Sequence, residues 1–95
     1  MQIPGLNKLP EHCREGLYRY IVYGMKPGNF LTAVISNNFV DAVSMADHVN
    51  LPRLKDYAIF LVADAPSGCW GSEAQVAYWI STGGLKGKNA AYEVI

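Results

Sequence analysis

Apolar side chains recur along this chain at intervals of three and four, in short runs separated by Gly, Pro and Asn. Over residues 10–23, Cys13, Leu17, Tyr20, Ile21 and Gly24 fall on one side of a 3.6-residue period, which predicts an amphipathic helix with one buried face. Pro10 suits the first helical position, where its missing N–H costs nothing, and Gly24 supplies the stop. Lys26-Pro27-Gly28-Asn29 then forces a turn. A second helix is predicted over 30–36 with Phe30, Leu31, Val34 and Ile35 inward, and Asn37-Asn38 breaks it. Asn38 is placed to cap a third helix, with Asp41 at its third position and Phe39, Val40, Val43 and Ala46 as its apolar stripe. The second and third helices together read as a helical hairpin with almost no loop.

Asn50 is placed to cap a fourth helix over 51–65, with Pro52 tolerated in the first turn. Leu54, Tyr57, Ala58, Leu61, Val62 and Ala65 repeat helically, and residues 57–63 are apolar nearly all round, so this is expected to be the central helix. A strand over 57–62 is the alternative, but no partner run with turn signals accompanies it. Pro66 ends the element. Ser72-Glu73-Ala74-Gln75 reads as a capping box opening a fifth helix, with Val76, Trp79 and Ile80 on one side and Gly83-Gly84 at its close. The expected architecture is all-α, a compact bundle of about five short helices in a single domain. That domain covers residues 1–84. A tail over 85–95 is expected to be flexible or docked on a neighbouring subunit, since Tyr92, Val94 and Ile95 are apolar.

Between the last two helices stands Ala65-Pro66-Ser67-Gly68-Cys69-Trp70-Gly71-Ser72. Loops usually expose small polar residues, so Trp70 must either plug the core or meet a partner. Trp79, on the inward stripe, reads as core.

Composition narrows the picture. The chain has 95 residues, 51% of them apolar and 17% charged, which suits one globular domain and excludes disorder. Lys plus Arg and Asp plus Glu both number 8, so the net charge is zero and the basic excess of a nucleic-acid binder is missing. Low net repulsion favours self-association, and a homo-oligomer is expected. No run of about 18 apolar residues suggests a membrane span. Met1-Gln2-Ile3-Pro4-Gly5 has neither the basic patch nor the apolar run of a signal peptide, so the cytoplasm is the expected compartment, with Cys13 and Cys69 reduced.

The search for catalytic chemistry is thin. His12 and Cys13 are adjacent and diverge on a helix, while His48 and Cys69 stand alone, so no zinc spacing arises and no cofactor is expected. Cys69 precedes a helix start, where a thiolate would be stabilised, but it reads better as a small buried filler beside Trp70. The carboxylates Glu11, Glu15, Asp41, Asp47, Asp56, Asp64 and Glu73 form no acid–base pair by spacing. Anion binding is the stronger candidate, because two helices begin after Gly-containing turns near Arg14, Arg19 and Lys26. In that reading Arg14, Arg19 and Lys26 neutralise phosphate, Tyr18 or Trp70 stacks on a base, and Asn29 offers hydrogen bonds.

Leu17-Tyr18-Arg19-Tyr20-Ile21, the run Gly24-Met25-Lys26-Pro27-Gly28-Asn29-Phe30-Leu31-Thr32-Ala33-Val34, Asn37-Asn38, Ala46-Asp47 and Cys69-Trp70-Gly71-Ser72 carry a resemblance. Over residues 9–83 the chain resembles a family of short proteins encoded by bacteriophages and prophages, most specifically in its Pro-Gly-x-Phe-Leu-x-Ala-Val core. The resemblance implies a host-cell setting and action by binding rather than catalysis. The expected function is a counter-defence protein that sequesters a small phosphate-bearing nucleotide signal of host immunity. The alternative is an inhibitor that binds a host defence protein complex and takes no small ligand. The first needs a pocket with convergent basic groups; the second needs an exposed apolar surface.

Overall fold

Glycine and asparagine set where the helices stop and start. The computed structural model describes residues 2–87. Among them are five α-helices and two 3-10 turns, and no strand, so the all-α class holds. A 3-10 turn over Leu6–Lys8 leads into α1 (Glu11–Tyr23). Then come α2 (Asn29–Ile35) and α3 (Phe39–Met45). A second 3-10 turn over Leu51–Arg53 runs into α4 (Leu54–Ala63), and α5 (Glu73–Thr82) follows the Pro66-to-Ser72 break.

The ends follow local chemistry. Gly24 closes α1 at φ 70° and Gly83 closes α5 at φ 77°, left-handed conformations that favour glycine. Asn38 Oδ1 accepts from the Asp41 N–H at 3.3 Å and starts α3 with almost no loop after α2. Ser72 Oγ accepts from the Gln75 N–H at 3.1 Å. Gln75 does not complete the reciprocal box: its Nε2 donates to the Gly68 carbonyl at 2.5 Å and staples the turn instead.

The core is assembled around α1. Cys13, Leu17, Tyr20 and Ile21 are all buried, as their spacing predicts, and meet Leu31 and Ile35 from α2, Tyr57, Phe60 and Leu61 from α4, and Val76 and Trp79 from α5. Fully burying each large apolar side chain contributes about 1.5–3 kcal/mol. Trp79 is 0% exposed. Its Nε1–H donates to the Tyr20 and Ile21 carbonyls at 3.0 and 3.2 Å, at the α1 end. Tyr20 Oη in turn donates to the Cys69 carbonyl at 2.7 Å, and the Gly71 N–H donates to the Ile35 carbonyl at 2.8 Å. The Cys69-Trp70-Gly71 turn is therefore bolted to both α1 and α2.

Three expectations change. The α3 stripe is not buried: of that helix only Ala42 enters the core, whereas Phe39 is 73% and Val40 70% exposed. Seven residues make two turns, and the hairpin turn spends them leaning on α2 rather than crossing the bundle. The all-round apolar α4 is not central either. Tyr57, Phe60 and Leu61 face inward, while Ala58, Ile59 and Val62 face solvent. Asn50 does not cap the fourth helix; it is 3% exposed and bonded inside the protein. As for the tail, residues 84–87 form a further helical turn, with Leu85 against the core and Lys86 Nζ 5.8 Å from the Tyr23 ring centroid. Residues 88–95, with the expected docking residues Tyr92, Val94 and Ile95, lie outside the described residues.

Candidate functional site

The exposed sides of α3 and α4 leave an apolar groove between them. It encloses about 410 Å3. Ala33 and Val34 of α2, Phe39 and Ala42 of α3, and Leu54, Ala58 and Val62 of α4 line it, with Trp70 at one wall. Tyr57 and Leu61 reach it from the core side, and the Phe30 ring packs edge-on against Tyr57 at 5.4 Å between centroids. Lys55 is the single charged side chain of the lining. Val62, 77% exposed, and Phe39 flank the opening. Trp70 thus combines the two roles open to it from sequence: half-buried, it seals the turn and forms a wall of the groove.

A second region surrounds the bend at Leu9. Arg14 Nε donates to the Leu9 carbonyl at 2.8 Å, and an Arg53 Nη2–H donates to the adjacent Lys8 carbonyl. Asp56 holds Arg53 from the other side, with Nε to Oδ2 at 2.5 Å. An open cleft of about 720 Å3 is lined here by Lys8, Glu11, His12, Arg14 and Arg53 among others. A neighbouring cleft of about 640 Å3 contains Tyr18 and shares Arg14 and Asn7 with the first.

Behind that bend lies a polar cluster. Asn50 Oδ1 accepts from Tyr57 Oη at 2.7 Å and faces Cys13 Sγ at 3.7 Å; its Nδ2 lies 3.5 Å from Cys13 Sγ and 3.4 Å from His12 Nε2. Asp47 Oδ1 accepts the Asn50 and Val49 N–H groups at 2.7 and 3.0 Å, and its Oδ2 faces His12 Nε2 at 3.0 Å. These bonds, led by the Asn50 N–H, hold the Asp47 carboxyl below the usual carboxylate range. Burial raises the phenols of Tyr57 and Tyr20 well above the ordinary tyrosine value, so both stay neutral donors. The cluster satisfies its own members, and its nucleophile, Cys13, is buried away from the clefts. Among the described residues no three His, Cys, Asp or Glu side chains are grouped to hold a metal.

The six residues singled out from sequence separate. Arg14 and Tyr18 share a cleft. Arg19 lies exposed and pairs with Glu15 across one turn of α1. Lys26 is exposed and makes no side-chain bond or ion pair among the described residues. Asn29 lines a small hollow of about 130 Å3 that also holds Asp41 and Glu73, carboxylates that repel an anion. Trp70 belongs to the apolar groove. Sequence reasoning did not single out Lys8, Arg53, Phe39 or Val62 for a site. The apolar stripe of α3 was the available signal for Phe39; nothing local marks Arg53 as a neighbour of Lys8.

Searches of family models, of curated proteins and of solved structures gave no match for this chain.

Proposed function

We propose that this chain acts by binding a partner protein, seating an amphipathic helix of that partner in the α3–α4 groove. One observation carries the reading: Phe39 and Val62, both more than two-thirds exposed, flank a groove lined mainly by apolar side chains, with Asn37 and Asn38 at its polar edge and Lys55 as its single charge. Large apolar side chains grouped at the surface cost solubility unless something covers them. A groove between two helices fits the apolar face of a third, read through anchors at i, i+3, i+4 and i+7. Lys55 selects an occupant with a carboxylate beside that apolar face. It also disfavours a two-fold pairing of identical copies, which would gather two lysines at the same apolar seam with no acid in the lining. In the phage setting that the sequence resemblance implies, the partner is a component of a host defence complex. The scatter of Arg19, Lys26, Asn29 and Trp70 gives the nucleotide-sequestering alternative less support at the positions expected from sequence.

The test uses fluorescent amphipathic 15-residue peptides carrying Leu anchors and one flanking Glu, with Lys-for-Glu versions as controls. The reading expects saturable binding of the Glu peptides, weaker binding of the Lys controls, and loss of both with Phe39→Asp and Val62→Asp. Binding that ignores both substitutions overturns it. Self-association abolished by Phe39→Asp would also overturn it, by making a second copy the occupant.

A further inference from the structure

The bend at Leu9 gathers three cationic side chains at one open cleft. Arg14 and Arg53 each donate to one of two consecutive carbonyls, Leu9 and Lys8, although they are 39 residues apart in sequence. Both arginine side chains line the same open cleft. Arg53 has Asp56 as a counter-charge. Arg14 has a carbonyl and no carboxylate, and Lys8 makes no side-chain bond or ion pair among the described residues. Among the described residues, the guanidinium of Arg14 keeps its Nη donors unspent, and Arg53 keeps Nη1. All three cations line one cleft, and α1 opens onto it at Glu11 with no side-chain cap, so the positive end of the helix points the same way. Glu11 is the one carboxylate of the lining; the His12 imidazole is turned to Asp47.

We infer that the Lys8–Arg14–Arg53 cleft binds a phosphate monoester, and that the adjoining cleft receives the ring system the phosphate is attached to. Planar guanidinium forks match tetrahedral oxyanions bidentately, and a nearby ammonium adds a point charge. Arg14 lines both clefts, and Tyr18 lines the second. An occupant with a phosphoryl group at Arg14 therefore has an aromatic side chain within reach of what lies beyond the ester oxygen. A nucleoside monophosphate is the ligand class of that shape and charge. This site is separate from the α3–α4 groove and shares none of its lining residues, so the two readings stand or fall apart.

Amide chemical shifts of the 15N-labelled chain, followed during titration with AMP, inorganic phosphate and adenosine, test the inference. AMP is expected to shift Lys8, Arg14 and Tyr18 in a saturable way. Phosphate should shift Lys8 and Arg14 with weaker affinity, and adenosine alone should bind at least roughly tenfold more weakly than AMP. Lys8→Gln touches no bond of the fold and should weaken AMP several-fold; Glu11→Gln, which removes the opposing carboxylate, should strengthen it. Arg14→Gln should abolish binding, with Lys8→Gln as the guard against a folding defect. No shift with millimolar AMP overturns the inference. So does adenosine binding as tightly as AMP, or AMP binding indifferent to Lys8→Gln and to Glu11→Gln.

Discussion

Tyr57 Oη donates to Asn50 Oδ1 at 2.7 Å, and through that bond α4 is tied to the turn that precedes it, directly beside Cys13 of α1. Tyr57→Phe leaves the Asn50 oxygen with only the weak thiol donor, and should cost about 1–2 kcal/mol. Asn50→Ala removes the acceptor of the buried Tyr57 hydroxyl and a partner of Cys13 and opens a void, so it should cost more, about 2–3 kcal/mol. Urea unfolding followed by circular dichroism reads both, with the midpoint falling in the order wild type, Tyr57→Phe, Asn50→Ala.

The Asp47 carboxylate contributes an acid-sensitive share of the fold's stability. Its folded pKa lies below the unfolded value because it accepts the Asn50 and Val49 N–H groups and faces His12. A depressed carboxylate contributes stability that is complete above its unfolded pKa, about 3.9, and is lost as pH falls through the lower folded value. Unfolding midpoints measured from pH 7 down to strongly acid solution should therefore include a decline that begins below about pH 4. Asp47→Asn should be less stable at neutral pH and show a shallower fall.

Backbone closeness at the end of α5 makes a sharp glycine contrast. A Cβ on Gly84, at φ +69°, would sit 2.7 Å from the Gly24 nitrogen and from the Ile21 carbonyl oxygen. These atoms belong to backbone that cannot move aside. Gly84→Ala should cost about 2 kcal/mol or more. Gly28→Ala meets nothing within 4 Å and should be neutral in the same thermal melt.

Adjacent residues on α4 should respond in opposite ways. Leu61 is buried, and Leu61→Ala should cost about 2–4 kcal/mol. Val62 is exposed, and Val62→Lys should change stability by less than about 0.5 kcal/mol. Fluorescence polarisation should show Val62→Lys losing the groove's affinity for the Glu peptides while its melting temperature stays that of the wild type.

The helices could be read from the sequence because their determinants are local. Gly24 and Gly83 stop α1 and α5, Asn38 and Ser72 start α3 and α5, and the α1 spacing marks its buried face. What periodicity cannot say is whether another element covers an apolar stripe. The α3 and α4 stripes look as core-like as that of α1, yet α2 meets α3 along only one side and nothing described crosses the outer face of α4. Asn50 misled for a related reason: a cap and a buried hydrogen-bonding hub use the same side chain, and only the approach of Cys13 and Tyr57 decides between them. The basic cleft is half legible. Arg14 and Tyr18 are one helical turn apart, but Lys8 and Arg53 join them through carbonyl contacts that no spacing announces.

The two indoles occupy contrasting surroundings, one sealed at the α1–α5 junction and one at the rim of the α3–α4 groove. The chain consequently carries its own pair of optical reporters. Emission from Trp79 should move only on global melting. Emission from Trp70 should shift when the groove is filled while the fold stays whole. A Trp70→Phe variant would isolate the first signal, leaving the difference spectrum as a label-free gauge of occupancy.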